Sequence, residues 1–235
     1  YGGVGSDFAR SIIKTYDQGY LIVGVTDSYG AGSYDWWLVK INSQGDTLWT
    51  NTYGGSAHDM ALSGIETSDE GFLIIGSTTS YGAGSWVIKT NFQGDTLWTR
   101  TYGGRSALET SDGGYLFAGS TNGDYRLLKS DYQGDILWTQ TYERSSNDYV
   151  GSVIETTDGG YLIAGDALSD FYEFFLIKTT SLGDTLWTRT YGGWESEHVG
   201  SVIETSDGGY LIAGSTMSYG AGDFDYWLVK INFQG

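Results

Sequence analysis

Apolar residues in this chain fall in short runs separated by glycine, with no helical period. Tyr210 to Ala213 is apolar at consecutive positions and follows the run Ser201 to Thr205 across Asp207-Gly208-Gly209. Two short runs joined by such a turn predict a β-hairpin, because glycine reaches the φ > 0 conformations of a tight turn without steric cost. Consecutive apolar positions predict a strand buried on both faces, which a lone hairpin cannot supply. The same stretch begins again at Gly151, Ser106 and Ser63 and, more loosely, at Ser11. Copies placed side by side supply the second buried face, so the repeat is the unit of the fold.

Each repeat adds two more strands. In the first, the loop DSYGAGSYD leads to the aromatic run Trp36 to Ile41, and the turn Asn42 to Gly45 leads to Asp46 to Thr50. The repeats occupy residues 1–52, 53–101, 102–141, 142–190 and 191–235. The third is the shortest, its middle loop reduced to Asn122-Gly123-Asp124, and the fourth has Glu143 and Arg144 where the others have two glycines. Differences gather in loops while strand lengths hold, as expected for strands sharing a core. Four-stranded units of this length predict an all-β chain, a five-bladed β-propeller of four-stranded antiparallel blades forming one domain over residues 1–235. The outer-strand motif occurs at Leu48-Trp49, Leu97-Trp98, Leu137-Trp138 and Leu186-Trp187, but the fifth repeat stops at Gln234-Gly235. The strand Trp227 to Ile231 is therefore expected at an open edge, with Trp227, Val229 and Ile231 as candidate assembly positions.

Charge narrows the partners. With 29 acidic and 12 basic residues the net charge is −17, which argues against nucleic acid and anionic membranes and leaves proteins, cations and neutral glycans. No apolar run approaches the roughly 18 residues of a membrane span, so membrane insertion is not expected. The absence of cysteine removes disulfides and thiolate sites. The chain opens at Tyr1 rather than Met, as expected of a processed form or of a piece of a longer chain.

Alternation of strand direction puts the SYGAG loops and the links between repeats on one face. Its candidate ligand or partner residues are Tyr29, Asp35, Tyr81, Asp124, Tyr219, Asp223 and Asp225. Tyrosine offers a flat apolar ring and a hydroxyl, a combination suited to sugars and to proteins. The same loops equally serve as tight structural turns. An acid also recurs ahead of the first strand, as Asp7, Asp59, Asp148 and Glu197. A ring of these carboxylates would suit calcium as a cofactor; without a D-x-D-x-D-G loop, capping of a turn is the favoured role. Glu66, Glu109, Glu155 and Glu204 on first strands and Lys40, Lys89, Lys129, Lys178 and Lys230 on third strands predict one ion pair per blade. Paired glutamates also serve glycoside hydrolysis, but catalysis breaks symmetry and these residues repeat it. His58 and His198 stand at unmatched offsets, and no nucleophile elbow or phosphate-binding loop occurs. No catalytic residue is therefore assigned.

The motifs TYGG, TSDGGYLIAGST, SYGAGDFDYWLVK and QGDTLWTRTYGG resemble the propeller-type repeats of large secreted or surface-attached proteins of bacteria and archaea, over essentially the whole chain. The resemblance implies an extracellular or cell-surface location and a structural, display or adhesion role. In blade number and repeat length the chain is also similar to five-bladed tachylectin-type lectins, although the motif residues of their sugar sites are absent. The expectation is a structural or interaction module that self-associates, with a carbohydrate-binding propeller as the alternative.

Overall fold

A computed structural model describes residues 1–82, 84–102, 104–143 and 147–235; Arg144 lies outside the described residues. The described strands form five antiparallel sheets. The first contains β1 (Asp7–Lys14), β2 (Tyr20–Thr26), β3 (Asp35–Ile41) and β4 (Thr47–Tyr53). The second contains β5 (Asp59–Glu66), β6 (Phe72–Thr78), β7 (Gly84–Thr90) and β8 (Thr96–Arg100). The third contains β9 (Ser106–Glu109), β10 (Tyr115–Thr121), β11 (Asp124–Ser130) and β12 (Ile136–Tyr142). The fourth contains β13 (Tyr149–Glu155), β14 (Tyr161–Leu168), β15 (Tyr172–Thr179) and β16 (Thr185–Tyr191). The fifth contains β17 (Glu197–Glu204), β18 (Tyr210–Thr216) and β19 (Asp225–Ile231). Strands lie in sequence order within every sheet, and the fifth sheet has three strands with β19 at its edge. The expected meander and the expected short fifth sheet are both present.

The chain divides into two compact units, residues 1–109 with 132–134 and residues 110–131 with 135–235. In the first unit, Leu21, Val23, Trp36 and Leu38 of the first sheet bury against Ala61, Phe72, Ile74 and Trp86 of the second. In the second unit, Leu162, Ala164, Phe174 and Leu176 bury against Val202, Tyr210 and Ile212. A fully buried side chain of this kind contributes roughly 1.5–3 kcal/mol. Burial on both faces holds through Phe72-Leu73-Ile74-Ile75 and Tyr161-Leu162-Ile163-Ala164, whereas β2 and β18 keep half-buried alternate positions. Trp227, Val229 and Ile231 pack inward against the Phe174 cluster. The side chains that β19 exposes are the alternate ones, Tyr226 and Leu228, because successive strand residues point to opposite faces.

Between first and second strands the turn is tied by its aspartate. Asp69 Oδ1 accepts from the Gly71 N–H and the Thr67 hydroxyl, and Glu70 N–H donates to the Thr67 carbonyl. The residue after the aspartate has positive φ; it is glycine at 113, 159 and 208 but Gln18 and Glu70 in the first two sheets. The next residue is glycine in every repeat for a different reason. A Cβ at Gly71 would overlap the Thr90 carbonyl oxygen and the Lys89 ammonium.

Candidate functional site

That lysine does not meet the first-strand glutamate. Lys89 Nζ donates to both oxygens of Asp69 at 2.9 Å and to the Thr90 carbonyl at 2.9 Å. Lys40 pairs with Asp17, Lys129 with Asp112, Lys178 with Asp158 and Lys230 with Asp207. A register shift directly after Lys40, Lys89, Lys129 and Lys178 in the pairing of third and fourth strands places these ammonium groups beside the turn. Burial pushes the Asp69, Asp112 and Asp158 carboxyls up, but bonds from threonine, lysine and glycine outweigh it, lowering all three and bringing Asp112 to about 2. The glutamates cap the turn of the preceding sheet instead. Glu66 accepts from the Tyr16 N–H, Glu109 from Ser68, Glu155 from Ser111 and Glu204 from Thr157, at 2.7–2.9 Å. The expected Glu–Lys pair is thus replaced by two separate links: a Lys–Asp pair inside each sheet and a Glu–turn bond between sheets. The aspartate of every turn was the legible signal, since it recurs as faithfully as the lysine.

At the other end of four of the first strands, the acid that opens or precedes the strand binds its own loop. Asp59 accepts from the Thr78 hydroxyl, from the Ser80 hydroxyl at 2.7 Å and from the Gly55 N–H at 2.9 Å. Asp7 does the same with Thr26, Ser28 and Gly3, and Glu197 with Thr216 and Gly193. Asp148 accepts from the Leu168 N–H. These bonds outweigh burial at Asp59 and hold its carboxyl below the usual range. The capping role accounts for these contacts, and among the described residues no group of three or more His, Asp or Glu stands close enough to hold a metal ion.

The SYGAG tyrosines are bonded as well. Tyr29, Tyr81 and Tyr219 donate their hydroxyls to the carbonyls of Gly2, Gly54 and Gly192 at 3.1, 2.8 and 3.1 Å. Their rings pack on Trp37, Trp86 and Trp227. Asp35 Oδ2 accepts from Ala31 and Gly32, and Asp225 from Ala221, so each closes its own loop. Asp35 Oδ1 is buried without a hydrogen-bond partner among protein atoms, and it flanks Gly54 together with Asp59 Oδ2. Asp124 opens β11 opposite Thr121, and Asp223 lies exposed in the last loop. The seven residues lie on loops and strand starts; within the first unit Tyr29 and Tyr81 line separate clefts. His198 bonds Asp166 at 2.8 Å while His58 lies against Tyr34, so the histidines do not pair.

A cleft recurs along the fourth strands of three sheets. One of about 500 Å³ is lined by Tyr53, Tyr81, Trp86, Thr96, Thr99 and Thr101. A second of about 490 Å³ has Tyr29, Trp37, Thr50 and Thr52, and a third of about 560 Å³ has Phe175, Thr185, Thr188 and Thr190. Threonines in or next to the fourth strand and an aromatic of the third strand line each of them. The T-L-W-T-x-T spacing carried that information.

No family model matches the chain, and no curated protein matches it. Among solved structures, Drosophila Plexin A in complex with Semaphorin 1b is similar at 9% identity and a TM-score of 0.60, over 96% of this chain and 53% of that one. A luciferin-regenerating enzyme is similar at 8% identity and a TM-score of 0.55, over 89% and 71% of the two chains. A glucose dehydrogenase is similar at 9% identity and a TM-score of 0.53, over 98% and 84%. The chain spans about half the length of the plexin chain it matches. Likeness at such identities is one of fold: an all-β, propeller-like arrangement of antiparallel sheets.

Proposed function

We propose that this chain is a five-bladed, propeller-type interaction module of the cell surface or extracellular space, without enzymatic activity, that works by associating with other copies of itself. One observation carries the reading. The recurrent polar groups, namely the Lys–Asp pairs, the glutamates on turns and the acids on loops, are engaged in holding the fold. Apolar and aromatic side chains are exposed instead, among them Tyr226 and Leu228 on β19. Exposed apolar patches mark sites of association. Sedimentation velocity and negative-stain microscopy of the purified chain are expected to find ordered assemblies. A species that stays monomeric at every concentration, or turnover of glycoside substrates, would overturn the reading. Protease shaving of intact cells tests the location.

The threonine-lined clefts favour one alternative, binding of a neutral glycan. In the cleft beside Tyr81, aromatic rings with hydroxyls and no charged lining side chain suit a sugar ring. A glycan array decides it, provided that Thr99→Val and Tyr81→Ala each abolish any affinity found.

A further inference from the structure

Where first and third strands begin in the second unit, four aromatic side chains form a continuous row. Tyr149 packs on Tyr172 at 6.0 Å between ring centroids, Tyr172 on His198 at 5.4 Å and His198 on Phe224 at 5.5 Å. These spacings are those of rings in direct contact. Both ends of the row are open to solvent, Tyr149 at 50% and Phe224 at 51% exposure. Asp166 fixes its middle: the carboxylate meets His198 Nδ1 at 2.8 Å and accepts from the Val199 N–H at 2.6 Å. The row shares no residue with the threonine-lined clefts.

The first unit holds a shorter row of the same kind, with Phe8 on Tyr34 at 6.4 Å and Tyr34 on His58 at 4.9 Å. That row has a cation of its own, since the Arg10 guanidinium carbon lies 6.0 Å from the Phe8 ring centroid. Strand register accounts for the likeness and for the difference. Phe8, Tyr149 and His198 are equivalents, each one residue before the position that faces Gly24, Gly165 or Gly214. The extra residue of the bulge that follows is Arg10 in β1, but Gly151 in β13 and Gly200 in β17. Glycine has no side chain to lay over a ring, and among the described residues no cation stands over Tyr149, Tyr172, His198 or Phe224. The segments that carry the row, residues 147–151, 166–174, 194–200 and 217–225, include Asp166, Asp170, Glu173, Glu195, Asp223 and Asp225 and no lysine or arginine.

We propose that this row binds an arginine side chain from a basic segment of another protein, as Phe8 holds Arg10. The guanidinium is planar and stacks on aromatic faces, which an ammonium group does less well, and carboxylates around the row add attraction. This goes beyond self-association, because it assigns the second unit a partner of different chemistry. The net charge of −17 favours encounter with such a partner.

Titration calorimetry of the full chain with an acetylated arginine–glycine repeat peptide tests this, beside peptides that carry lysine or uncharged citrulline in place of arginine. The arginine peptide is expected to bind more tightly than the lysine peptide, about tenfold or more tighter than the citrulline peptide, and less tightly as salt rises. Tyr149→Ala/Phe224→Ala removes the two exposed ends and is expected to weaken binding by about tenfold or more. Gly200→Arg supplies a cation at the place equivalent to Arg10 and is expected to block the peptide. A Cβ there would stand 3.3 Å from the Ala213 carbonyl oxygen, so urea midpoints of both variants are measured to confirm folding. Failure of the wild type to bind the arginine peptide would overturn the proposal, as would equal binding of the citrulline peptide. Binding that the folded alanine variant retains would assign it to the acidic surface at large, and a neutral oligosaccharide bound at the row in the peptide's place would make it a sugar platform; either result overturns the arginine site.

Discussion

Replacing Asp69 by Asn would strand the Lys89 ammonium. That side chain is 2% exposed, and its three acceptors are the two Asp69 oxygens and the Thr90 carbonyl. Asn keeps an oxygen for the Gly71 N–H and the Thr67 hydroxyl, so the turn survives while the countercharge is lost. Removing one partner of a buried pair costs about 3–5 kcal/mol. Because Asp69 is 54% exposed, water replaces part of its field, and the expected loss is about 2–3 kcal/mol. Lys89→Met removes the charge that needed pairing. The carboxylate is left facing water with its turn bonds, and the cost is about 1 kcal/mol from the lost bond to the Thr90 carbonyl. The double variant should cost about as much as Lys89→Met alone, well short of the sum. Tryptophan fluorescence during urea unfolding measures the midpoints, with the slope checked for constancy. If Asp69→Asn costs no more than Lys89→Met, the pair is solvent-screened and the reasoning is wrong.

The turn aspartates also set a pH dependence. Their carboxyls are lowered in the folded chain, Asp112 to about 2, so their stabilisation is complete above the unfolded value near 4. It fades as pH falls through about 2, so urea midpoints should drop between pH 4 and pH 2, and Asp112→Asn should flatten the fall. Glu155→Ala removes two bonds to Ser111, at its N–H and hydroxyl, and leaves the Lys178–Asp158 pair intact. A loss of about 1–2 kcal/mol in thermal or urea unfolding is expected; a loss as large as that of Asp158→Asn would return Glu155 to the lysine. Asp35→Asn places a donor where a partnerless oxygen now lies near the Asp59 carboxylate. A gain of about 1 kcal/mol is expected, and a loss would mean that the negative charge itself is required, as by a bound cation.

Much of this architecture was legible in the residues because it is local. Glycine turns and consecutive apolar runs such as Tyr210 to Ala213 determine hairpins, and repetition determines that hairpins stack, since one hairpin cannot bury both faces of its second strand. The three-stranded fifth sheet followed from counting Leu-Trp motifs. The partners of the charges were not legible. Glu66 and Lys40 repeat in step, yet each finds a different group, because pairing depends on which face of the strand each side chain takes and on the bulge after Lys40. Likewise Trp227, Val229 and Ile231 lie on the edge strand but point into the Phe174 cluster, and a shift of one residue decides whether a side chain faces core or solvent. Spacing placed Tyr29 and Tyr219 in the loops between second and third strands. Only the tertiary structure decided that their hydroxyls hold the links from Gly2 and Gly192, because the two segments meet through sheet pairing between residues far apart in the chain.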